Sequence, residues 1–330
     1  MIFKKVKKSF TLLLLSLFIM PYSVFAYSEY LIPGGENIGI QIASKGIMVV
    51  GVYEVGGTYP ATDADIKIGD KIIKINGVDV ADINDMIEKI NQSESLTLQI
   101  TYERGKQIKE TALSVVKEDD VFKTGLYVKD SITGIGTLSF IDPNTKIFGA
   151  LGHEITEKTT GQILEIKDGK IFGATVTSID RSAEGTPGSK NAKFDFSKEN
   201  GTILENTKSG IFGTFTDDIP DKELYKVASY EEVKTGEAKM LTVVEGNEIG
   251  EYDIQILKVN NSQKQKTKNI LFEITDETLL EKTGGVVQGM SGSTIIQGEY
   301  IVGAVTHVVV DSPNKGYGIL IVNMLEEAED

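Results

Sequence analysis

Cysteine is absent from the chain, and only two histidines, His153 and His307, occur among its 330 residues. Without cysteine there can be no disulfide, no thiolate metal site and no cysteine nucleophile. Two histidines far apart in sequence leave little for a metal beyond carboxylates, so no metal or cofactor is expected. Any imidazole chemistry must use one of these two rings. Positive charge is also scarce: 34 Lys and Arg stand against 48 Asp and Glu, a net charge of -14. Such a surface repels phosphate backbones and excludes nucleic acid as a natural partner. Helical repeats and low-complexity tracts are missing. What remains is ordinary globular material, with 40% hydrophobic and 25% charged residues. At roughly 150 residues per domain, that is enough chain for about two domains with real cores.

The N-terminus has the pattern of an export signal. Lys4, Lys5, Lys7 and Lys8 precede an apolar run from Phe10 to Met20, then Pro21 and the small-x-small stretch Val24-Phe25-Ala26. Residues 1–26 are therefore expected to be a signal peptide or, if uncleaved, a membrane anchor. The chain is expected to act outside the cytosol of the cell that makes it.

From Ile32 to Val116 the pattern is short strands around one helix. Gly46 to Val52 is an apolar strand, and Asn76-Gly77 marks a hairpin turn. Asp82 or Asn84 is placed to cap a helix through Ile90, with Ile83, Met86, Ile87 and Ile90 on one face. Residues 121–330 read as all-β, suited to a pair of barrels or a large sandwich. Ile147-Phe148-Gly149, Ile171-Phe172-Gly173 and Ile211-Phe212-Gly213 recur at unequal spacing, as strands entering glycine turns do. Asp180 to Ala192 is a loop by composition, Asn260 to Lys268 a hairpin tip, and Val322 to Ala328 a closing helix.

The first region resembles a PDZ domain, most recognisably in Gly69-Asp70-Lys71-Ile72-Ile73-Lys74-Ile75-Asn76-Gly77. Asn37-Ile38-Gly39-Ile40 is similar to the loop that binds a peptide carboxylate ahead of the groove strand. The resemblance implies either a peptide-binding module, working by strand addition, or a PDZ-like packing module with no ligand.

Chemistry converges on Gln288-Gly289-Met290-Ser291-Gly292-Ser293. Glycines on each side of a serine permit φ > 0 and bring bare N–H groups beside the hydroxyl, as an oxyanion site requires. The segment resembles the nucleophile motif of chymotrypsin-like peptidases, with Ser291 as nucleophile and the N–H groups of Gly289 and Ser291 as oxyanion donors. Ile301 to Thr306 resembles the strand that follows, making Val305, Thr306 and His307 candidates for the substrate groove. A serine hydroxyl needs a base. His153 ends an apolar strand beside glycine, whereas His307 lies mid-strand where a packed or groove-lining role fits better. Asp276, fifteen residues before Ser291, gives the chain order His, Asp, Ser and is the candidate for orienting His153. It is equally placed to cap a helix starting near Thr278. Glu154 is a rival, but its neighbour His153 points to the opposite face of a strand.

Together these segments resemble the SpoIVB family of sporulation serine peptidases. The matches are Phe148 to Ile155, Lys282 to Ser293, Gly303 to Val308 and Asp311 to Gly318; Thr294 stands where family members usually carry proline. The PDZ region precedes the peptidase region, unlike the order in HtrA-type peptidases. The resemblance implies a mainly β chain: an N-terminal signal or anchor helix, a PDZ domain at 32–116, and a chymotrypsin-like double β-barrel at 121–330. It implies export across the forespore membrane into the intermembrane space and self-cleavage. It further implies cleavage of a membrane-bound regulator of an intramembrane protease, which activates a sigma factor. The alternative is an inactive secreted PDZ-type signalling protein.

Overall fold

The computed structural model describes residues 27–261 and 267–328, so the expected export segment lies outside the described residues. No helix among the described residues is long and apolar enough to cross a membrane. The chain is mainly β. It opens with β1 (Tyr30–Pro33) and the 16-residue β2 (Asn37–Val52). A small module follows, with α1 (Pro60–Asp63), β3 (Lys71–Ile75), β4 (Val78–Asp79), α2 (Ile83–Asn91), β5 (Thr97–Arg104), β6 (Gln107–Ser114), β7 (Val116–Glu118) and β8 (Val121–Lys123). Then come β9 (Leu126–Ile141), β10 (Ile147–Ala150), β11 (Ile166–Asp180), β12 (Ser189–Thr207) and β13 (Gly210–Phe215). The last part comprises β14 (Tyr225–Val227), β15 (Gly236–Val243), β16 (Ile249–Val259), β17 (Ile270–Ile274), α3 (Glu277–Thr283), β18 (Thr294–Gln297), β19 (Tyr300–Val308), β20 (Lys315–Leu320) and α4 (Ile321–Ala328).

Strand pairing closes two circuits of six. In the first, β2, β9, β10, β13, β12 and β11 pair in turn, and β11 returns to β2. In the second, β15, β16, β17, β20, β19 and β18 do the same, and β18 returns to β15. Each circuit encloses its own core. Ile38, Ile40, Phe148, Ile171 and Ile211 fill the first, and Met240, Ile254, Phe272, Ile295 and Val305 fill the second. Strand β1 bridges them, pairing Ile32 and Pro33 with β9 and Tyr30 and Leu31 with β14.

The small module is inserted into the first barrel rather than placed ahead of it. In β2, Ile38, Ile40 and Ile42 alternate into the barrel core. Between Ala43 and Met48 the register slips, and Gly46 takes φ +77. A slip of this kind exchanges the inward face of a strand. Beyond it Ile47 and Val49 point into the module core with Ile72, Ile75, Met86 and Leu98. Strand β9 follows β2 throughout, with Leu126 in the module core and Leu138 in the barrel. Strand β2 therefore serves both cores, changing from one to the other near Gly46.

Other local expectations meet the structure in detail. Asp82 caps α2, accepting from the N–H of Asp85 at 2.9 Å, and Met86 and Ile90 are buried while Ile87 stays exposed. Asn76 and Gly77 both adopt positive φ in the hairpin turn. The three Ile-Phe-Gly segments are corrected: Gly149, Gly173 and Gly213 lie within β10, β11 and β13, not in turns. At Gly149 and Gly213 the reason is close approach across the sheet; at Gly173 a Cβ would meet only Asn200 Oδ1 at 3.8 Å. A Cβ on Gly149 would strike the Phe140 ring, and one on Gly213 the Thr202 carbonyl. The loop expected over 180–192 is shorter, because β12 starts at Ser189.

Candidate active site

Ser291 sits in the segment between α3 and β18, where the chain is bent by glycines. Gly289 has φ +94 and Gly292 φ +96, both in the region that disfavours a side chain. Gly292 also passes so close to Thr137 of β9 that a Cβ would overlap its carbonyl oxygen. The loop is stapled on both sides. The N–H of Gly292 donates to Val305 O at 2.7 Å, and the N–H of Val305 donates to Ser293 O at 2.9 Å. From the first barrel, the Thr137 N–H donates to Ser291 O at 3.0 Å and its Oγ1 donates to Gly289 O at 2.7 Å. With those carbonyls engaged, the N–H groups of Gly289 and Ser291 make no hydrogen bond among the described residues. Two uncommitted N–H groups flanking a serine are what an oxyanion needs.

His153 follows β10 through a bend in which Leu151 has φ +70 and Gly152 φ +71. A left-handed leucine is a strained conformation, held here by packing against the core. Gly152 runs against Thr306 and Ile319 of the second barrel; a Cβ there would lie 2.9 Å from both side chains. The half-buried imidazole Nδ1 lies 2.8 Å from the main-chain oxygen of Glu154. A carbonyl oxygen only accepts, so Nδ1 carries the proton, and in the neutral ring Nε2 is the one with the lone pair. His153 and Ser291 line one cavity of about 310 Å³, walled by Ile40, Ile132, Leu151 and Ile155. The Ser291 hydroxyl donates to Thr306 O at 2.9 Å.

His307 lies beside this pair, its ring centroid 5.3 Å from that of His153. One edge of the ring meets solvent, but its surroundings favour the neutral form. Burial first, then the nearby His153 and Lys268, lower its pKa to about 4, with Glu154 acting in the opposite sense.

Three sequence-based assignments are corrected. Asp276 is the N-cap of α3: its carboxylate accepts from Leu279 N–H at 2.8 Å and from Asp253 N–H at 3.5 Å, and it makes no bond to His153. The group that meets His153 Nδ1 is instead the Glu154 main-chain carbonyl. The Asn37-Ile38-Gly39-Ile40 segment is no carboxylate-binding loop. It is strand β2 with both edges occupied, one by β9 and the other by β11, so no edge is open for an added peptide. Val305 is also not a groove residue. It is fully buried and its main chain holds the serine loop. Thr306 contributes its carbonyl, and His307 alone of the three presents an exposed side chain.

Sequence reasoning missed a group of buried polar residues beneath the loop. Lys190 is 3% exposed, and its Nζ donates to Asn37 Oδ1 at 2.8 Å and Thr242 Oγ1 at 2.9 Å. Thr242 Oγ1 also accepts from Ser293 Oγ at 2.9 Å. Burial lowers the Lys190 pKa to about 7. Nothing in the local sequence of Lys190, Thr242 or Thr137 marks them; they belong to three separate strands.

A PDZ-domain model matches residues 36–115, and the arrangement as a whole defines the class: a serine peptidase carrying a PDZ domain. The larger match is to the SpoIVB peptidase S55 model, over residues 120–325, and the chain belongs to that family. Among curated proteins, LL2128 of Lactococcus lactis subsp. lactis (strain IL1403), whose name assigns it to zinc metalloproteases, is 29% identical over 120 residues. That stretch is 34% of this chain and only 27% of the relative's length. Among solved structures, Rv3671c from M. tuberculosis H37Rv in an inactive form has 14% identity and a TM-score of 0.32, covering 59% of this chain and 82% of its own. The PDZ domain of the SdrC-like protein (Lmo2051) from Listeria monocytogenes has 21% identity and a TM-score of 0.24, covering 27% of this chain and 93% of its own.

Proposed function

We propose that the chain is an exported serine endopeptidase in which Ser291 is the nucleophile and His153 the general base. The carrying observation is that Ser291 and His153 share one cavity while the N–H groups of Gly289 and Ser291 stand uncommitted beside the hydroxyl. The two six-stranded barrels, each contributing one of these residues, support a chymotrypsin-like double β-barrel reading. In the reaction the Ser291 hydroxyl turns from Thr306 O toward His153 Nε2 and attacks the scissile carbonyl carbon as its proton passes to Nε2. The oxyanion is held by the two N–H groups. The peptide C–N bond then breaks, His153 returns the proton to the leaving amine, and water hydrolyses the acyl-enzyme by the same relay in reverse. Glu154 O keeps the proton of His153 on Nδ1. The pKa of His307 is lowered to about 4, which weakens it as a base.

The family resemblance supports a wider role. In it the protein is exported from the forespore into the intermembrane space, cleaves itself, and cleaves a membrane-bound regulator of an intramembrane protease to trigger sigma-factor activation in sporulation. Its partners are then protein substrates, itself included, with membrane contact through residues 1–26. The test is a fluorophosphonate probe on the full chain, with N-terminal sequencing of the products. Wild type is expected to label and to process itself, and Ser291→Ala to do neither while keeping its circular dichroism spectrum. Processing retained in Ser291→Ala defeats the assignment.

A further inference from the structure

A buried lysine with no carboxylate beside it is an unfavourable feature. Charged groups leave water only at considerable cost unless paired. Lys190 is such a group, and it lies under the serine loop rather than in an ordinary core. Its main-chain N–H donates to Gln288 O at 2.9 Å, and the Gln288 N–H donates back to Gly188 O at 2.8 Å. Its aliphatic stem forms the floor beneath Gly289: a Cβ on that glycine would lie 3.2 Å from Lys190 Cβ and Cδ. Its ammonium reaches Thr242, which in turn holds Ser293. Lys190 therefore touches the loop before Ser291 directly and after it through one hydroxyl. As an ammonium it can only donate, so Asn37 must present its oxygen, and the Asn37 Nδ2 is left without a partner.

The geometry points to Lys190 as the positioning residue of the oxyanion loop, a buried ammonium that holds Gln288, Gly289 and Ser293 in the shape that offers the Gly289 and Ser291 N–H groups to substrate. This rests on Ser291 being the nucleophile. The groups facing the ammonium are Asn37 from β2, Thr242 from β15 and Ser293 from the loop, none of which ionises in the working range. Glu36, next to Asn37 in the chain, pairs with Lys222 through Oε1 while its buried Oε2 has no partner, and Asp180 binds Ser189 and Asn191; burial is what acts on the Lys190 ammonium. Deprotonation of Lys190, with its pKa lowered to about 7, frees Asn37 to turn and loosens the loop.

The experiment measures fluorophosphonate labelling rates of the full-length wild type, Ser291→Ala and Lys190→Met from pH 6 to 9, together with their thermal melts. The expected result is that Lys190→Met folds without a lower melting temperature and labels about 10- to 100-fold more slowly at pH 6. The gap to wild type should then narrow as pH rises past 7, where wild-type Lys190 loses its own proton. Labelling of Lys190→Met at the wild-type rate overturns the proposal. So does a slow variant whose rate keeps a constant ratio to wild type at every pH, since a purely structural defect has no reason to titrate with Lys190. If Lys190→Met does not fold, Lys190→Gln is read by the same criteria; if neither folds, the residue is structural and the proposal fails. An unlabelled wild type, or a labelled Ser291→Ala, rejects the nucleophile assignment itself.

Discussion

Replacing Lys190 by methionine should change how stability depends on pH, in a direction that only a buried unpaired lysine produces. Its pKa in the folded chain is lowered from 10.5 to about 7 by burial. Between those values the unfolded chain holds a proton that the folded chain has released, so stability rises with pH across this window. Lowering a pKa by one corresponds to ~1.4 kcal/mol, so the charged form costs the native state on the order of 5 kcal/mol below pH 7. This cost is fully present at pH 6 and is relieved progressively toward pH 10.5. Methionine keeps most of the stem volume and carries no charge. It leaves the Asn37 oxygen only the long 3.5 Å contact from Thr137 Oγ1, a loss of about 1–3 kcal/mol. At pH 6 the variant should therefore be more stable than wild type by roughly 2–4 kcal/mol. The advantage should shrink with rising pH and reverse between about pH 8.5 and 10. The assay is urea unfolding followed by far-UV circular dichroism and tyrosine fluorescence, since the chain has no tryptophan. All other titrating groups are common to both proteins, so the difference between their curves isolates Lys190. A difference independent of pH from 6 to 10 would refute the reasoning.

Three further outcomes follow from the site. Asp276→Asn should keep the α3 cap and leave the labelling rate within about threefold of wild type, while Asp276→Ala should cost about 1 kcal/mol in a thermal melt. A roughly 10⁴-fold loss of rate in Asp276→Asn would instead put that carboxylate on the histidine. Thr137→Val removes the donor to Gly289 O and leaves a buried carbonyl unpaired. It should lower stability by about 1–3 kcal/mol and slow labelling at least about tenfold, read from the same melts and probe kinetics. Ser291→Ala should abolish labelling with no change in melting temperature beyond a few degrees, as expected for a half-buried hydroxyl whose one bond goes to Thr306 O.

The small module bears on how the peptidase is held together. Strand β9 enters the module core at Leu126 and reaches Thr137, eleven residues on, where it grips the serine loop. Strand β2 runs beside it over the same span. The segment Asn37 to Ile40, expected as a carboxylate-binding loop, is thus used for barrel closure, and the module is continuous with the first barrel through two paired strands.

What could be read along the chain was whatever depends on neighbours in sequence. The Gly289-Met290-Ser291-Gly292 spacing, the histidine ending an apolar strand, the Asp82 cap, the Asn76-Gly77 turn and the β alternation are all local, because φ > 0, capping and side-chain period are properties of a few consecutive residues. Asp276 shows the limit: both of its roles fit the local sequence, and only the fold assigns it to Leu279 N–H. Which strand pairs with which was decided by packing at long range. Residues 37–40 resemble a PDZ loop, and only the pairing with β9 and β11 makes them a barrel strand. Lys190, Thr137 and Thr242 meet under Ser291 from three strands scattered over more than a hundred residues. Hydrogen bonds between such distant positions leave no trace in a linear pattern, because each residue alone looks like any other polar side chain on a strand.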